Sequence, residues 1–364
     1  IGSEGRAHVE LTARAMRLLF DERGVGITPD EVVPILFTNA VRLDFDAARR
    51  LDFGCVRDCA AAAAVSIHRG GDDRPADEDL LARLETAQPR VVINKEIPLT
   101  AALIERFPAS VELIQEAGTG YNNVDVEAAK ARGITVCNVP AYSTDQMGQL
   151  AVTLILSLSS SLTQQQRMIE RGDTSNFDSH VIHVPHFEPT GKVLGLVGGL
   201  GDTGSATCKF AQALGLKVII WSRSAKSDPA RGIEAVASLD ELLARSDFVS
   251  LHCPLNTHTR GMINAEKLRL MKPTAYLVNI SRGGLIVEGD LIAALEAKAI
   301  AGAALDVQEV ESPWHTSSPL YKMDNVILTP HIGWKRTETR QRLLEMVADS
   351  VSCFLNGEPK YVVA

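Results

Sequence analysis

The chain has 364 residues, of which 45% are hydrophobic and 23% charged, and its formal net charge at pH 7 is −8. This composition is typical of a globular protein with a sizeable core, and the length favours two domains. An acidic chain without a basic run argues against nucleic-acid binding. The most apolar helical pattern, Leu150 to Leu158, is too short to span a bilayer. We therefore expect neither nucleic-acid nor membrane partners.

Six cysteines are scattered along the chain, and of these Cys55 and Cys59 lie close together in sequence. No Cys or His pair follows them at the spacing of a zinc site, so free thiols in a reducing compartment are expected. The sequence carries no signal-peptide pattern. We expect a protein of the cytoplasm or of an organelle matrix, mitochondrion or plastid, rather than a secreted one.

The first part of the chain alternates short apolar segments with helical patterns, which predicts a doubly wound parallel sheet. A helical pattern over residues 9 to 22 comes first. Residues 141 to 171 predict one long helix, followed by a polar loop to Gly191. Between these, strands are predicted at Val33–Phe37, Ala63–Ile67, Val91–Ile93, Val111–Ile114 and Ile134–Cys137, and helices at Ala76–Leu84, Ala101–Phe107 and Val126–Arg132.

A glycine fingerprint, Gly199-Leu200-Gly201-Asp202-Thr203-Gly204, stands in the middle of the chain. It follows an apolar strand pattern, Val193 to Val197, precedes a helical stretch, Ser205 to Leu214, and is followed by a second strand pattern, Lys217 to Trp221. In this context the first glycine makes the turn, the second lets the backbone approach a pyrophosphate, and the third packs helix on strand. One additional glycine, Gly198, precedes the fingerprint, so the pattern does not fix the residue at which the first strand ends.

A second α/β run surrounds this fingerprint and predicts a separate domain. Its further strands are predicted at Val236 (short), Phe248–Leu251, Ala275–Ile280, Gly302–Leu305 and Val326–Leu328, and a closing helix at Thr337–Leu355. We expect two doubly wound parallel-sheet domains: a flavodoxin-like substrate-binding domain of residues 1–145 and 336–364, and an inserted Rossmann dinucleotide-binding domain of residues 146–335. The substrate is expected at the carboxyl ends of the strands, in the cleft between the domains.

Three polar residues, Arg282, Glu311 and His331, each come at or shortly after a predicted strand of this second domain. Histidine titrates near neutrality and is a natural proton donor and acceptor. A glutamate hydrogen-bonded to the ring would favour the imidazolium and fix its orientation. An arginine presents a planar fork that can bind a carboxylate and polarise a neighbouring carbonyl. Because the carboxyl ends of strands in such a sheet point at the ligand cleft, all three are candidate site residues.

The chain resembles the D-isomer-specific 2-hydroxyacid dehydrogenases over roughly residues 33 to 357. The matching blocks are Gly118–Asp125, Cys137–Pro140, Leu251–Leu255 and the segments around Arg282, Glu311 and His331. Among the branches it is most similar to the glycerate dehydrogenases, also called hydroxypyruvate reductases, through Asn94–Lys95, Tyr142–Thr144 and Thr329–Trp334. One departure is Ser312-Pro313 after Glu311, where the family commonly has proline directly after the glutamate.

The resemblance implies hydride transfer between a nicotinamide cofactor and hydroxypyruvate or glyoxylate, with His331 as proton donor, in a homodimer joined through the cofactor domains and the region from Met147 to Leu158. It implies catalytic roles for Arg282, Glu311 and His331. Substrate contacts are expected from Lys95, Gly118, Thr119, Gly120 and Arg282. For Lys95, a solvated loop lysine is an equally good interpretation. Cofactor contacts are expected from Gly199, Gly201, Asp202, Thr203, Gly204, Ser222, Arg223, Ser224, Cys253, Pro254, Thr259, Ile280, Asp306, His331 and Gly333.

The end of the second strand bears on the choice of cofactor. Enzymes selective for NAD place an Asp or Glu about 20 residues past the glycine turn, where it binds the ribose hydroxyls. Here Ser222-Arg223-Ser224 stands at that place, with Lys226 beyond. Arg223 can pair with a 2′-phosphate, so NADP(H) is favoured over NAD(H). The alternative is that these are solvated loop charges and either cofactor is used.

Two other functions remain open on the same sequence. One is a D-lactate or other D-2-hydroxyacid dehydrogenase. The other is a nucleotide-sensing protein resembling a corepressor, which the complete set of Arg282, Glu311 and His331 disfavours because a sensor needs no proton donor.

The polar loop holds His180, His183 and His186 with Glu188, a cluster that invites a metal interpretation. Its spacing would suit a helix, but Pro185 argues against a helix there. We therefore expect no metal and a surface loop.

Overall fold

The computed structural model describes residues 32–36, 66–67, 77–95, 97–177, 180–311 and 317–364. The chain divides into two compact units, Ile1–Tyr142 with Lys335–Ala364, and Ser143–Trp334. The helix predicted over residues 9 to 22 and the pair Cys55 and Cys59 lie outside the described residues. No helix among the described residues has the length and apolar character needed to cross a membrane.

The first unit contains a five-stranded parallel sheet in the order β2-β1-β3-β4-β5. This is the flavodoxin-like order of doubly wound folds. Its core lies between the sheet and the helices, where Leu84, Ile104, Ile114 and Val136 are fully buried. The elements are β1 Val32–Leu36, β2 Ser66–Ile67, α1 Asp77–Ala87, β3 Val91–Asn94, α2 Ala101–Ile104, β4 Leu113–Glu116, α3 Val126–Ala131 and β5 Thr135–Cys137, with α10 Thr337–Leu355 near the end of the chain.

The last residues of the chain pair with the edge strand of this sheet. The amide of Val363 donates to the carbonyl of Val136, and the amide of Asn138 donates to the carbonyl of Tyr361, at 2.8 and 3.1 Å. The bridge between Cys137 and Val362 is antiparallel. The backbone groups of β5 that would otherwise face solvent are thereby hydrogen-bonded.

The second unit contains a seven-stranded parallel sheet in the order β12-β11-β10-β9-β6-β7-β8. The order reverses between β6 and β9, the kind of switch point where such folds bind nucleotides. Its elements are α4 Thr144–Ser159, α5 Leu162–Glu170, β6 Val193–Val197, α6 Asp202–Ala213, β7 Lys217–Trp221, β8 Ile233–Ala235, α7 Leu239–Arg245, β9 Phe248–Leu251, α8 Ala265–Leu268, β10 Tyr276–Asn279, α9 Glu288–Glu296, β11 Gly302–Leu305 and β12 Val326–Leu328. The α/β class with parallel sheets, predicted from the alternating patterns, is confirmed.

The prediction of one long helix over residues 141 to 171 is wrong. The helix α4 ends at Ser159, Ser161 adopts a left-handed backbone with φ +45°, and α5 begins at Leu162. The hydroxyl of Ser161 donates to the carbonyl of Pro185, which holds the break in place. Serine hydroxyls compete with helical hydrogen bonds in this way, and the apolar periodicity on either side conceals the break.

The strand predicted at Val111–Ile114 is shifted to Leu113–Glu116. Its last two residues, Gln115 and Glu116, are polar yet fully buried, so a pattern of apolar residues ends too early. The short strand predicted at Val236 lies at Ile233–Ala235. Several other predicted ends differ by one to three residues, which is the usual uncertainty of such boundaries.

Candidate active site

The glycine fingerprint forms a tight turn between β6 and α6. The strand ends at Val197, and Gly198 and Gly199 both have left-handed backbones, with φ +111° and +71°. A Cβ on Gly198 would lie 2.6 Å from the carbonyl oxygen of His252, and one on Gly204 would collide with the carbonyl oxygen of Gly199. Only glycine fits these two places.

The helix α6 begins inside the fingerprint, at Asp202 with Gly201 as its N-cap, and not at Ser205 as predicted. The amides of Asp202 and Thr203 are therefore in the first turn of a helix, where unpaired N–H groups and the helix dipole favour an anion. Apart from Gly201 and its chain neighbours, no heavy atom of the residues that the structure describes lies within 4 Å of the point where a Cβ on Gly201 would stand, so the backbone is open to a ligand there.

The residues after β7 lie beside this turn. The Cβ position of Gly199 is 3.0 Å from Ser222 Oγ. Arg223, Ser224 and Lys226 are exposed. Arg223 makes no ion pair with any residue that the structure describes, and its charge is available to a ligand.

Arg282 follows β10, and a buried asparagine organises the turn that carries it. Asn279 is fully buried; its Nδ2 donates to the carbonyl of Arg282 at 2.9 Å, and its Oδ1 accepts from the amide of Ser281 at 3.0 Å. The hydroxyl of Ser281 donates to the carbonyl of Cys253 on the neighbouring strand end, at 2.6 Å. The side chain of Arg282 is half-buried and donates to the carbonyl of Ser281.

His331 and Glu311 are in contact. The distance between His331 Nδ1 and Glu311 Oε2 is 2.8 Å, and the two side chains are 16% and 32% exposed. Because Nδ1 is engaged with the carboxylate, Nε2 is the ring nitrogen left for a reacting group. His331 follows β12, the strand next to β11.

Asp306 follows β11 and is fully buried. Its carboxylate accepts hydrogen bonds from Thr329, Ile332 and Gly333, all on the segment around His331. Burial raises the pKa of this carboxyl above its usual range, because the charged form loses its water, and the hydrogen bonds oppose that effect.

The remaining predicted cofactor contacts also follow strands of this sheet. Cys253 is buried, which raises the pKa of its thiol to about 11, and Ile280 is buried. Pro254 is exposed, and its carbonyl accepts from the hydroxyl of Thr259 at 2.7 Å. Since carboxyl ends of parallel strands meet at one edge, these residues share that edge with the glycine turn.

The predicted substrate contacts Lys95 and Gly118 to Gly120 follow β3 and β4 in the first unit. Lys95 is 4% exposed, so it is not a solvated loop lysine. A Cβ on Gly118 would lie 3.2 Å from Lys95 Nζ and 3.7 Å from Glu116 Oε1. The side-chain Nδ2 groups of Asn94 and Asn123 donate to Glu116 Oε2 at 2.6 and 2.9 Å. A buried cation and a buried carboxylate thus flank this glycine.

Sequence reasoning missed the supporting residues Asn94, Glu116, Asn123 and Asn279. Asn94, Glu116 and Asn279 are the last residues of buried strands. A polar residue in that place is a usable signal, because a buried polar group must be hydrogen-bonded and parallel strands end at the ligand edge.

The histidines of the polar loop lie on a surface segment. His180, His183 and His186 are exposed, and the segment is not helical. Among the residues that the structure describes, no three His, Cys, Asp or Glu side chains are grouped so that they could hold a metal ion.

A cavity of about 450 Å³ lies elsewhere in the second unit, near the amino ends of β10 to β12. Its lining includes Ser157, Ser161, Tyr276, Lys298 and Asn325, none of which was predicted as a site residue. The chemistry-bearing residues lie at the opposite edge of the sheet, so geometry favours the glycine-turn edge as the candidate active site.

The chain is similar to known proteins in sequence and in structure. Residues 152–333 match the family model described as "D-isomer specific 2-hydroxyacid dehydrogenase, NAD binding domain". The chain is 38% identical over 289 residues to the hydroxypyruvate reductase of Blautia hydrogenotrophica, covering 79% of this chain and 88% of that relative.

Two solved structures are similar in fold and sequence. One is a glyoxylate reductase from Paecilomyes thermophila, with a TM-score of 0.73 and 28% identity, covering 91% of this chain and 97% of that one. The other is an NADPH-dependent glyoxylate/hydroxypyruvate reductase from Sinorhizobium meliloti in complex with NADP and malonate, with a TM-score of 0.68 and 28% identity, covering 76% and 84%.

Proposed function

Because the chain belongs to the family of D-isomer-specific 2-hydroxyacid dehydrogenases, we propose that it catalyses the NAD(P)H-dependent reduction of hydroxypyruvate to D-glycerate, with glyoxylate as a second substrate. The observation that supports this most is the 2.8 Å contact between His331 and Glu311, at the sheet edge that carries the glycine turn. The names of the relatives, hydroxypyruvate reductase and glyoxylate reductase, support the choice of substrate.

The residues around the glycine turn fit a dinucleotide. The backbone at Gly201 is open, the first turn of α6 offers unpaired amides, and Gly198 and Gly204 are held where only glycine fits. When bound there, the reduced nicotinamide supplies the hydride that the keto carbon accepts.

The protein's own residues provide the proton and the orientation. His331 donates a proton from Nε2 to the carbonyl oxygen as the C=O electrons move onto that oxygen. Glu311 accepts the hydrogen bond from Nδ1–H and so fixes the plane of the ring. The guanidinium of Arg282 binds the substrate carboxylate and polarises the carbonyl. We assign Lys95 and the amides of Gly118 to Gly120 to the substrate as well.

We propose that NADPH is preferred to NADH. Ser222, Arg223 and Ser224 stand at the end of β7, where a carboxylate would repel a 2′-phosphate, and Arg223 is exposed with its charge available. The NADPH dependence in the name of the S. meliloti relative is in line with this.

We propose that the protein is a homodimer, with an interface that differs from the expected one. The stretch Met147 to Leu158 packs inside its own unit, because the Cβ that Gly148 lacks would meet Ala206 on α6 at 2.8 Å and most of its apolar side chains are buried. The exposed apolar side chains lie just beyond it: Leu162, Ile169, Phe177, Val181 and Ile182. An exposed apolar surface of this kind favours subunit contact.

We also propose a location in the cytoplasm or an organelle matrix. The four cysteines that the structure describes are free thiols, which suits a reducing compartment.

The function is tested by steady-state kinetics of the full chain with hydroxypyruvate, glyoxylate and pyruvate, each with NADH and NADPH. We expect the highest kcat/KM for hydroxypyruvate with NADPH. A preference for pyruvate would make the protein a D-lactate dehydrogenase instead. Cofactor binding without turnover of any of the three would favour a nucleotide-sensing protein.

A further inference from the structure

The loop after β4 presents two adjacent backbone amides to a ligand. The carbonyl of Gly118 accepts from the amide of Val139 at 3.0 Å. The carbonyl of Thr119 accepts from Asn138 Nδ2 at 2.8 Å. Because the C=O and N–H of a trans peptide point in opposite directions, the amides of Thr119 and Gly120 face away from these partners. Neither amide donates to a residue that the structure describes, and adjacent amides of this kind attract an anion.

A buried cation stands beside this loop. Lys95 is 4% exposed, and its Nζ lies 3.2 Å from the position that a Cβ on Gly118 would take. A lysine is rarely buried unless its charge is compensated, because the ammonium group loses its water. Together with the two amides, an uncompensated ammonium group would make this loop strongly attractive to negative charge.

Glu116 brings a negative charge to the same place. The residue is fully buried, and its Oε1 lies 3.7 Å from the same Cβ position on Gly118. The carboxylate and the ammonium group of Lys95 therefore both lie against this glycine. Two opposite charges this close largely cancel each other's field at a ligand beside them.

The carboxylate of Glu116 is fixed in this position by two asparagines. Its Oε2 accepts from the Nδ2 groups of Asn94 and Asn123 at 2.6 and 2.9 Å. Each Nδ2 group also donates to the carbonyl of Ile97, at 3.0 and 3.1 Å. Such hydrogen bonds favour the ionised carboxylate, and they leave Oε1 as the oxygen that faces Gly118.

We propose that Glu116 determines substrate specificity by cancelling the charge of Lys95, so that this loop accepts a 2-keto acid with one carboxylate and rejects a 2-keto dicarboxylate of the same size. This inference rests on the proposed function, in which Lys95 and the loop from Gly118 to Gly120 bind the substrate. Hydroxypyruvate carries one negative charge. Ketomalonate has a carboxylate in place of the hydroxymethyl group and carries two. A second carboxylate gains nothing from Lys95 that Glu116 does not oppose.

Two variants change the local charge in opposite directions. In Glu116→Gln, an amide oxygen in the place of Oε2 keeps both asparagine bonds, and only the negative charge beside Lys95 is removed. The uncompensated ammonium group then favours a dianion over a monoanion. Lys95→Gln leaves the carboxylate of Glu116 uncompensated and disfavours the dianion. The double variant is neutral again.

Glu112→Gln is the matched control. Glu112 stands directly before β4, at the other end of the strand from Glu116. Its carboxylate accepts from Nε and Nη2 of Arg90 at 3.1 and 2.9 Å, and its side chain is 48% exposed. The substitution removes the same charge from the same unit. Because water screens that charge, the preference between anions is expected to stay unchanged.

Binding is measured without turnover, by calorimetric titration of malonate and of D-glycerate into each full-length variant with NADPH present. Both probes have three carbons, malonate has two carboxylates and D-glycerate one, and neither is reduced by NADPH. We expect the ratio of the Kd of malonate to the Kd of D-glycerate to fall by about tenfold in Glu116→Gln and to rise by about tenfold in Lys95→Gln. The double variant and Glu112→Gln are expected to stay within about twofold of the wild-type ratio.

The kinetic counterpart is kcat/KM for ketomalonate relative to hydroxypyruvate, which is expected to rise by about tenfold in Glu116→Gln. An unchanged Kd ratio in folded Glu116→Gln would overturn the inference, and so would an equal change in Glu112→Gln. If Glu116→Gln does not fold, Lys95→Gln decides, and a ratio that does not rise overturns the inference. If the Kd ratios shift as expected while no keto acid is reduced, the charge selection stands and the proposed function fails.

Discussion

At the scale of single residues, the proposal depends most on His331. Its ring is held by Glu311 at 2.8 Å and its Nε2 is left for the substrate. Replacing it by alanine removes the proton donor, and we expect His331→Ala to lower kcat by on the order of a hundredfold, with NADPH affinity retained. The measurement is kcat at neutral pH alongside a fluorescence titration of NADPH. Near-normal turnover in a folded variant would remove His331 from the mechanism.

The proposed preference for NADPH over NADH depends on Arg223. It is exposed beside the glycine turn, and a 2′-phosphate pairs with a guanidinium more strongly than a hydroxyl does. We expect Arg223→Ala to raise the KM for NADPH by about tenfold and the KM for NADH by much less. Lys226→Ala, which removes a charge farther along the same loop, is the comparison. A wild type that favours NADH by about tenfold in kcat/KM would contradict this assignment.

At the scale of elements, the glycines of the turn are needed for two different reasons. One is close packing within the protein, and the other is the approach of the ligand to the backbone. A Cβ on Gly204 collides with the carbonyl of Gly199, whereas a Cβ on Gly201 meets no atom within 4 Å from the described part of the chain other than its sequence neighbours. We therefore expect Gly204→Ala to lower the melting temperature, as overpacking does at a cost of about 1–3 kcal/mol. Gly201→Ala is expected to keep the melting temperature but to weaken NADPH binding by about tenfold, because its methyl group stands where the pyrophosphate approaches.

Gly289→Ala provides the control for these two variants. Gly289 is the second residue of α9, is exposed, and has no described residue beyond its own helix and chain neighbours within 4 Å of its Cβ position. An alanine there is expected to raise stability by about 0.5–1 kcal/mol without changing cofactor affinity. If Gly201→Ala and Gly204→Ala changed the melting temperature and the affinity for NADPH equally, this distinction between packing at Gly204 and ligand access at Gly201 would be wrong.

Elements with clear apolar periodicity could be predicted from the sequence. The strands Val193–Val197, Lys217–Trp221, Phe248–Leu251 and Gly302–Leu305 have the predicted bounds, because a strand of a parallel sheet is apolar on both faces. The break at Ser161 was not predictable, since it depends on a hydrogen bond to Pro185, far along the chain. The buried polar end of β4 was missed for a similar reason: the hydrogen-bond partners of Glu116, which are Asn94 and Asn123, come from other segments.

The same distinction applies to the candidate site. Sequence patterns could be recognised, whereas contacts between segments distant in the chain could not. The matching blocks of sequence, among them those around Arg282, Glu311 and His331, were sufficient to identify the family, and the expected chemistry follows from that resemblance. The hydrogen bonds of Asp306 could not be derived, because their donors lie on the segment after β12 and become neighbours of Asp306 only when the strands are aligned.

At the scale of the whole molecule, the dimer proposal predicts a change of mass. Phe177 and Ile182 are 73% and 74% exposed, and burying such side chains favours association. We expect the wild type to be a dimer at micromolar concentration by light scattering, and the double variant Phe177→Ser with Ile182→Ser to be a monomer. Leu214→Ser, at an exposed apolar residue directly after α6, should remain dimeric. A monomeric wild type would refute the proposal.

The most direct test of the central claim is the stereochemistry of the product. The full chain is incubated with hydroxypyruvate and NADPH, the oxidation of NADPH is followed by absorbance, and the glycerate formed is resolved by chiral chromatography. The account predicts one D-glycerate for each NADPH oxidised, and oxidation of D-glycerate but not L-glycerate with NADP⁺. L-glycerate or a racemic product, or no oxidation of NADPH where NADPH is shown to bind, would contradict it.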